Sequence, residues 1–368
     1  MEFIDLKTQY NKYKKEIDNA IHEVLDSSQY VMGPEVGQVE SQLAEFVGVK
    51  HCITASSGTD TLLMSMMALD IGPGDEVITT PFTFVSTVET ISFLGAKPVF
   101  TDIELDTYNI DPALIEAAIT PKTKAIMPVG LFGHMPDLFA INAIAEKYGI
   151  PVIEDAAQSF GATLDGKKSC GMTTIGSTSF FPAKPLGCYG DGGAIFTDRD
   201  DLASELRAIR VHGGAARHQY TRIGLNGRFD TIQAAVIKTK LPHFPDEIRK
   251  RRAIGTRYNE LLQDVCQTPQ IRENYTSTFA IYTIRIPERD RVASLLKDKG
   301  IPTSIYYPTP IYAQPAYKNL GISPGAFPVT EQACKEVLSL PMHPWLTEEA
   351  QDFIAEAVKE SATAGALS

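Results

Sequence analysis

Between Glu76 and Glu154 the chain repeats one unit: a short apolar run, a turn, then a helical pattern. The runs Glu76 to Thr80, Lys97 to Thr101, Thr123 to Val129 and Pro151 to Glu154 have strand length, and helical periodicity fills the intervals at Phe84 to Leu94, Pro112 to Ile119 and Asp137 to Tyr148. Turn markers such as Gly72-Pro73-Gly74-Asp75 separate them. Apolar strands alternating with helices make a mostly parallel sheet, since parallel neighbours need long crossovers and those crossovers cover both faces. The chain is therefore predicted to be α/β, with ligands gathering outside the carboxyl ends of the strands. Gly176 to Phe181 and Gly193 to Thr197 add strands. After Asp230 the pattern turns helical, through Gln233 to Lys240 and a charged helix around Glu247 to Leu262. A strand over Phe279 to Ile286 and helices near Arg291 to Lys299 and Glu348 to Lys359 read as a smaller α+β unit. A large domain over residues 1–243 and a smaller one over 244–368 are expected, with the N-terminal segment free to pack on the smaller. A chain of 368 residues, 43% of them hydrophobic, is long enough for two cores. The tail Ser361 to Ser368 is expected to fray.

One lysine stands out against this pattern. Ser179-Phe180-Phe181-Pro182-Ala183-Lys184-Pro185-Leu186-Gly187 places Lys184 in a tight turn between two strand-like runs. Pro185 drives its predecessor out of the α region, so Lys184 cannot sit in a regular helix and its amine is held by backbone constraints. A partly buried lysine has a lowered pKa, and an accessible neutral amine is what a carbonyl cofactor needs to form a Schiff base. On this segment alone, a surface lysine in a hairpin remains the other reading.

Two further elements narrow that choice. Pro151-Val152-Ile153-Glu154-Asp155 reads as a buried strand with Asp155 at its carboxyl end, and a buried ionised aspartate needs a cationic partner. In pyridoxal phosphate enzymes that partner is the protonated ring nitrogen; in isolation, the pair also reads as a capping aspartate. The strand-like His51 to Ala55 runs through Ser56-Ser57-Gly58-Thr59 into the helical stretch Leu62 to Leu69. A small-residue turn at a helix start offers free N–H groups and the helix dipole to an anion, although capping alone can explain such a turn.

The order Ser-Gly-Thr, Thr-Pro-Phe-Thr-Phe, Glu-Asp-Ala-Ala-Gln, Ser-Phe-Phe-Pro-Ala-Lys-Pro-Leu-Gly, Gly-Asp-Gly-Gly-Ala and Asn226-Gly227-Arg228 resembles the DegT/DnrJ/EryC1/StrS sugar-nucleotide aminotransferases over essentially the whole chain. The resemblance implies the fold type I architecture of pyridoxal phosphate (PLP) transferases, aspartate-aminotransferase-like. It implies Lys184 as the Schiff-base residue and as the base that moves a proton between the substrate carbon and C4′. Asp155 would pair with the pyridinium nitrogen, and Gln158 would hydrogen-bond the phenolic oxygen unless it is a capping residue. The Ser179 hydroxyl and the Gly58 and Thr59 amides would bind the phosphate, joined by Asn226 of the other subunit of a homodimer with shared sites. Phe84 matches the aromatic that stacks on the cofactor, whereas Phe82 reads as core. Arg228 would meet an acidic group of the sugar nucleotide or a dimer-interface carboxylate. Tyr306, Tyr307 and Tyr312 fall in a loop that shapes the sugar pocket; Tyr306 stands where relatives often carry histidine.

Within the family, Glu2-Phe3-Ile4-Asp5-Leu6, Gly187-Cys188-Tyr189-Gly190 and Leu340-Pro341-Met342-His343-Pro344 agree with the members that aminate the 3-keto group of UDP-2-acetamido-2-deoxy-3-oxo-glucuronic acid, with L-glutamate as donor, for O-antigen sugars. Alternatives are amination of a 4-keto UDP- or dTDP-sugar and a non-catalytic PLP-binding regulatory homologue. A deoxygenating dehydratase would replace the lysine, which is present.

Charge and cysteine usage exclude other classes. With 34 basic and 45 acidic residues the net charge is −11, which argues against a nucleic-acid partner. The charged N-terminus and the lack of a long apolar stretch predict a cytoplasmic enzyme without a membrane partner. Five cysteines without paired spacing predict reduced thiols and no metal site. Cys188 has no evident base beside it and reads as a small packing residue. His212 and His343 are single histidines, read as structural or pocket-lining.

Overall fold

A computed structural model of the protein describes residues 1–216 and 218–363. Seven strands form the main sheet: β1 (His51–Ala55), β2 (Glu76–Thr79), β3 (Lys97–Phe100), β4 (Thr123–Ile126), β5 (Ile153–Asp155), β6 (Ile175–Ser179) and β7 (Gly193–Thr197). Their order is β1-β7-β6-β5-β4-β2-β3, the halves being joined by parallel bridges from Ile126 to Val152 and from Val129 to Asp155. Only β7 runs antiparallel to its neighbours. β2 and β7 are buried along their whole length, as a sheet covered on both faces requires.

Helices α1 (Leu6–Ser27), α2 (Pro34–Val47), α3 (Gly58–Ala68), α4 (Val85–Phe93), α5 (Pro112–Ala118), α6 (Leu138–Tyr148), α7 (Asp200–Arg210) and α8 (Thr231–Lys240) surround this sheet. Their ends follow local chemistry. Asp5, Ser57, Asp111 and Asp137 each accept a backbone N–H in the first turn of α1, α3, α5 and α6. Gly48 and Gly149 take the left-handed conformation that closes α2 and α6. The sequence-predicted strand over Thr123 to Val129 stops at Ile126. Pro128, with no N–H, cannot continue the ladder, although its carbonyl still accepts from Asp155 N–H at 2.9 Å.

The C-terminal third has its own antiparallel pair, β8 (Tyr282–Arg285) with β9 (Val337–Leu340), packed by α10 (Arg289–Asp298), α11 (Pro328–Glu336) and α12 (Glu348–Thr363). Helix α9 (Phe244–Leu262) serves two cores. Phe244 and Ile248 join the cluster of Phe160, Phe180 and Phe196, whereas Ile254, Tyr258 and Leu262 pack with Tyr282, Leu338 and Val358. At the N-terminus, Phe3 O accepts from Met342 N–H at 3.1 Å, and the Phe3 ring lies 6.4 Å from that of Tyr306. Of the tail expected to fray, Ser361 to Thr363 close α12 and residues 364–368 lie outside the described residues.

Candidate active site

The register of three strands assembles the first half of the site. Ala55 pairs with Gly193, and Gly193 with Ser179, so the ends of β1 and β6 flank the start of β7. A side chain at Gly193 would strike Thr178 O and Ser57 O, which glycine avoids. The turn after β1 therefore reaches the turn after β6. At Gly58 a Cβ would come within 2.6 Å of Ser179 Cβ; only glycine lets the α3 N-terminus approach the serine this closely. Ser57 uses its hydroxyl on Asp60 N–H at 3.0 Å and its carbonyl on Thr61 N–H at 3.0 Å. The Gly58 and Thr59 N–H groups, at the positive end of the helix dipole, are left without an acceptor among the described residues. This cradle suits a phosphate.

The second half lies one strand further. Asp155 is buried at the carboxyl end of β5; Thr87 Oγ1 of α4 donates to its Oδ2 at 2.9 Å and Ala157 N–H to its Oδ1 at 3.2 Å. Lys184, half-buried, forms no hydrogen bond through its amine among the described residues, and its own N–H closes a turn onto Phe181 O at 2.8 Å. Burial pulls the Lys184 ammonium down and pushes the Asp155 carboxyl up, while the attraction between the two partly opposes both shifts. A lysine moved toward its neutral form beside a carboxylate can attack a carbonyl and then exchange protons.

Gln158 is buried one turn beyond Asp155, and its Oε1 accepts Phe132 N–H at 2.7 Å. Tyr307 lies beside Gln158 and Asp155, where burial and the aspartate charge push its phenol up. Phe84 precedes α4, is 55% exposed and stands 6.4 Å from the Tyr307 ring. Phe82 is buried in the core, as the sequence predicts. The half-open Phe84 face, the free lysine amine, the buried aspartate and the phosphate cradle together fit PLP.

Asn226 and Arg228 sit at the rim. Gly227 O accepts Ser56 N–H at 3.0 Å, which pins this strap to the β1 turn. The Asn226 side chain is exposed and has no partner among the described residues, and Arg228 faces only His212, at 3.5 Å. Tyr306 packs on Phe3. Tyr312 is not brought to this cluster: it is buried between Phe100 and Phe327, and its hydroxyl donates to Glu331 at 2.6 Å. Cys188 is the packing residue expected; its thiol is turned to Phe180 O and Gly190 O, and burial pushes it up to about 11. All five cysteines are free, and among the described residues no cluster of ligating side chains could hold a metal. His343 is buried near Asp5 and Arg251, with its pKa lowered to about 4 by burial.

Sequence reasoning passed over Thr87, and over Thr59 Oγ1, which meets Ser86 Oγ at 2.8 Å and ties the starts of α3 and α4 together. Thr87 and Thr90 on an apolar helix, with Thr83 just ahead of it, were the available signal, since buried hydroxyls need partners.

The DegT/DnrJ/EryC1/StrS aminotransferase family profile matches residues 11–359. The chain is 52% identical to the UDP-2-acetamido-2-deoxy-3-oxo-D-glucuronate aminotransferase of Pseudomonas aeruginosa, over 97% of this chain and 99% of the relative. It superposes on a DegT/DnrJ/EryC1/StrS aminotransferase from Brucella abortus with a TM-score of 0.95 at 43% identity, covering 98% of this chain and 99% of the other. On NtdA from Bacillus subtilis, solved with its bound cofactor PMP, the TM-score is 0.90 at 31% identity, covering 96% and 82%. With matches of this length, the chain belongs to the DegT/DnrJ/EryC1/StrS aminotransferase family and is a PLP-dependent enzyme.

Proposed function

We propose that the protein transfers an amino group from L-glutamate to the 3-keto carbon of UDP-2-acetamido-2-deoxy-3-oxo-glucuronic acid, in the cytoplasm, for O-antigen sugars. The free Lys184 amine beside buried Asp155 carries the reading of transamination. The choice of sugar follows the printed activity of the Pseudomonas aeruginosa relative. It is supported by Arg228, a rim cation with no carboxylate partner among the described residues and a planar fork suited to a uronic carboxylate.

PLP, when bound, supplies an electron sink for the carbon that loses its proton. The protein's own groups do the rest. Lys184 Nζ would hold the cofactor and, when freed by the amino donor, would serve as the base that takes the proton from the donor carbon and, with the keto sugar, as the acid that gives one to the sugar carbon. Asp155, kept in place by Thr87, would favour a positive charge on the cofactor's ring nitrogen. Gln158 and Tyr307 would address the phenolic oxygen, and Phe84 would cover the ring. Ser179 and the Gly58 and Thr59 amides would hold its phosphate and so fix the cofactor's position independently of Lys184.

Asn226 of a second subunit completes that phosphate site, making the working unit a homodimer of chains with a large domain over 1–243 and a small one over 244–368. Among the described residues no helix is long and apolar enough to cross a membrane. The test is an assay with glutamate in which a partner dehydrogenase generates the 3-oxo acid in place, run beside neutral 3-oxo and 4-oxo sugars. Fast amination of the acid alone is expected. Equal rates on the neutral sugar, or activity confined to a 4-keto substrate, would overturn the substrate and leave transamination standing.

A further inference from the structure

Helix α8 turns two polar side chains, Gln233 and Lys240, onto the loop that carries Lys184. They are seven residues apart, two helical turns, and so share a face. Gln233 Oε1 accepts Tyr189 N–H at 2.7 Å, and its Nε2 lies where a Cβ on Gly190 would come within 3.1 Å. Lys240 is only 2% exposed; its Nζ donates to Gly187 O at 2.7 Å and sits 4.2 Å above the Tyr189 ring. Cys188, between these anchors, is bonded through its N–H to Phe180 O at 2.8 Å. The far limb of the loop is thus held at three successive residues.

That limb touches the limb bearing the reactive lysine. A Cβ on Gly187 would come within 2.5 Å of Pro182 O, so any shift of Gly187 is passed to Pro182-Ala183-Lys184. Among the described residues, Lys184 has no side-chain hydrogen bond of its own to fix its amine. A buried lysine is costly, and at Lys240 burial lowers the pKa to about 8 against the opposing charge of Glu247. Charged or neutral, it still donates to the carbonyl, which an apolar residue would leave buried and unpaired.

We propose that Lys240, assisted by Gln233, is a positioning residue for the amination chemistry: by anchoring the Gly187 carbonyl it sets the place of the Lys184 amine. The proposal rests on Lys184 as the Schiff-base lysine, and the test separates the two. Lys240→Met keeps the apolar stem and removes the donor; Gln233→Leu removes the Tyr189 anchor and serves if the first variant does not fold; Lys240→Arg keeps a cationic donor.

In cofactor-free protein, amide hydrogen exchange at Lys184, Cys188 and Tyr189 is expected to quicken about five- to tenfold in the Met and Leu variants, the effect of losing one hydrogen bond, with Ile53 and Ile195 unchanged. In loaded protein, the pH midpoint of the cofactor's visible absorbance should move and kcat should fall while KM for glutamate holds. Lys240→Arg should recover part of each. Unchanged exchange together with an unmoved midpoint would overturn the proposal alone. If borohydride reduction and peptide mass analysis place the cofactor of the wild-type protein on another lysine, the Lys184 reading fails and takes the proposal with it.

Discussion

At the Lys184 end of the site the protein supplies its own partners: Asp155 is held by Thr87 and Ala157, Gln158 by Phe132, and the lysine loop by Gln233 and Lys240. At the Asn226 end it does not. Among the described residues, exposed Asn226 has no side-chain partner and Arg228 meets only a histidine at the limit of a hydrogen bond. The difference follows from burial. A buried polar group must be satisfied inside one chain or it destabilises the fold, whereas an exposed one can wait for a ligand or a second subunit. The reactive groups are thus fixed by folding, and the rim groups stay open to a ligand or a second subunit.

The largest expected effect is at the buried end. Lys184→Ala should fold normally and lose more than about a thousandfold in turnover, and borohydride should no longer fix the cofactor to the protein. Ordinary turnover in that variant would remove the chemical end from this place. Asp155→Ala should cost on the order of a hundredfold in kcat, as expected for one oriented charge, with binding of the nucleotide sugar retained. A loss confined to KM would mean that Asp155 binds substrate instead.

At the exposed end, Arg228→Ala should lower kcat/KM for the uronic sugar tenfold to a hundredfold, the effect of a charged hydrogen bond worth about 1.5–3 kcal/mol, and barely change it for the neutral sugar. An equal loss on both would assign Arg228 to the nucleotide or the interface. Asn226→Ala should weaken cofactor binding about tenfold. Mixed with Lys184→Ala chains, it should regain activity, because one site of the heterodimer is then intact. No recovery after verified subunit exchange would make the phosphate site complete within one chain.

The smallest effect tests burial itself. Glu154, beside Asp155 on β5, is fully buried, accepts Cys170 N–H on Oε2 at 2.7 Å and has no partner for Oε1 among the described residues; burial raises its pKa from 4.5 to about 8. The folded chain therefore keeps a proton that the unfolded chain loses above pH 4.5, and stability falls as pH rises from about 4.5 to 8. Glu154→Gln should remove that slope, gaining about 1–3 kcal/mol at pH 8 and little at pH 5 by urea unfolding. A pH-independent difference would show that Glu154 is ionised in the native protein. Burial holds His134 and His343 near pKa 4, which destabilises both proteins alike below pH 6.5.

Much of the fold was legible because it is written in contiguous residues. The apolar runs at Glu76, Lys97 and Gly193 became β2, β3 and β7 within a residue, and the helices after β2 and β3 followed. The strand from Thr123 overran because Pro128 was counted as apolar although it interrupts the ladder. Helices α1, α2 and α7 were passed over, although Asp5 and the Pro34 start are ordinary capping signals. In the site, Lys184, Asp155 and the Gly58 turn each carry a local signature. Tyr312 was grouped with Tyr306 and Tyr307 by proximity along the chain, yet its ring turns into the Phe100 and Phe327 cluster. The local pattern could not tell which way that loop faces.

By itself the sequence determined the alternation of strand and helix, the conformational freedom that glycine leaves at position 58, and the exclusion of Lys184 from a helix by Pro185. All are properties of neighbouring residues. Only the tertiary structure decided that β7 runs backwards between β1 and β6, so that Gly58 meets Ser179, that Thr87 reaches Asp155 across 68 residues, and that Lys240 reaches Gly187 across 53. These pairings depend on how whole elements pack to bury their apolar faces, and a buried polar group finds its partner only after that packing is set.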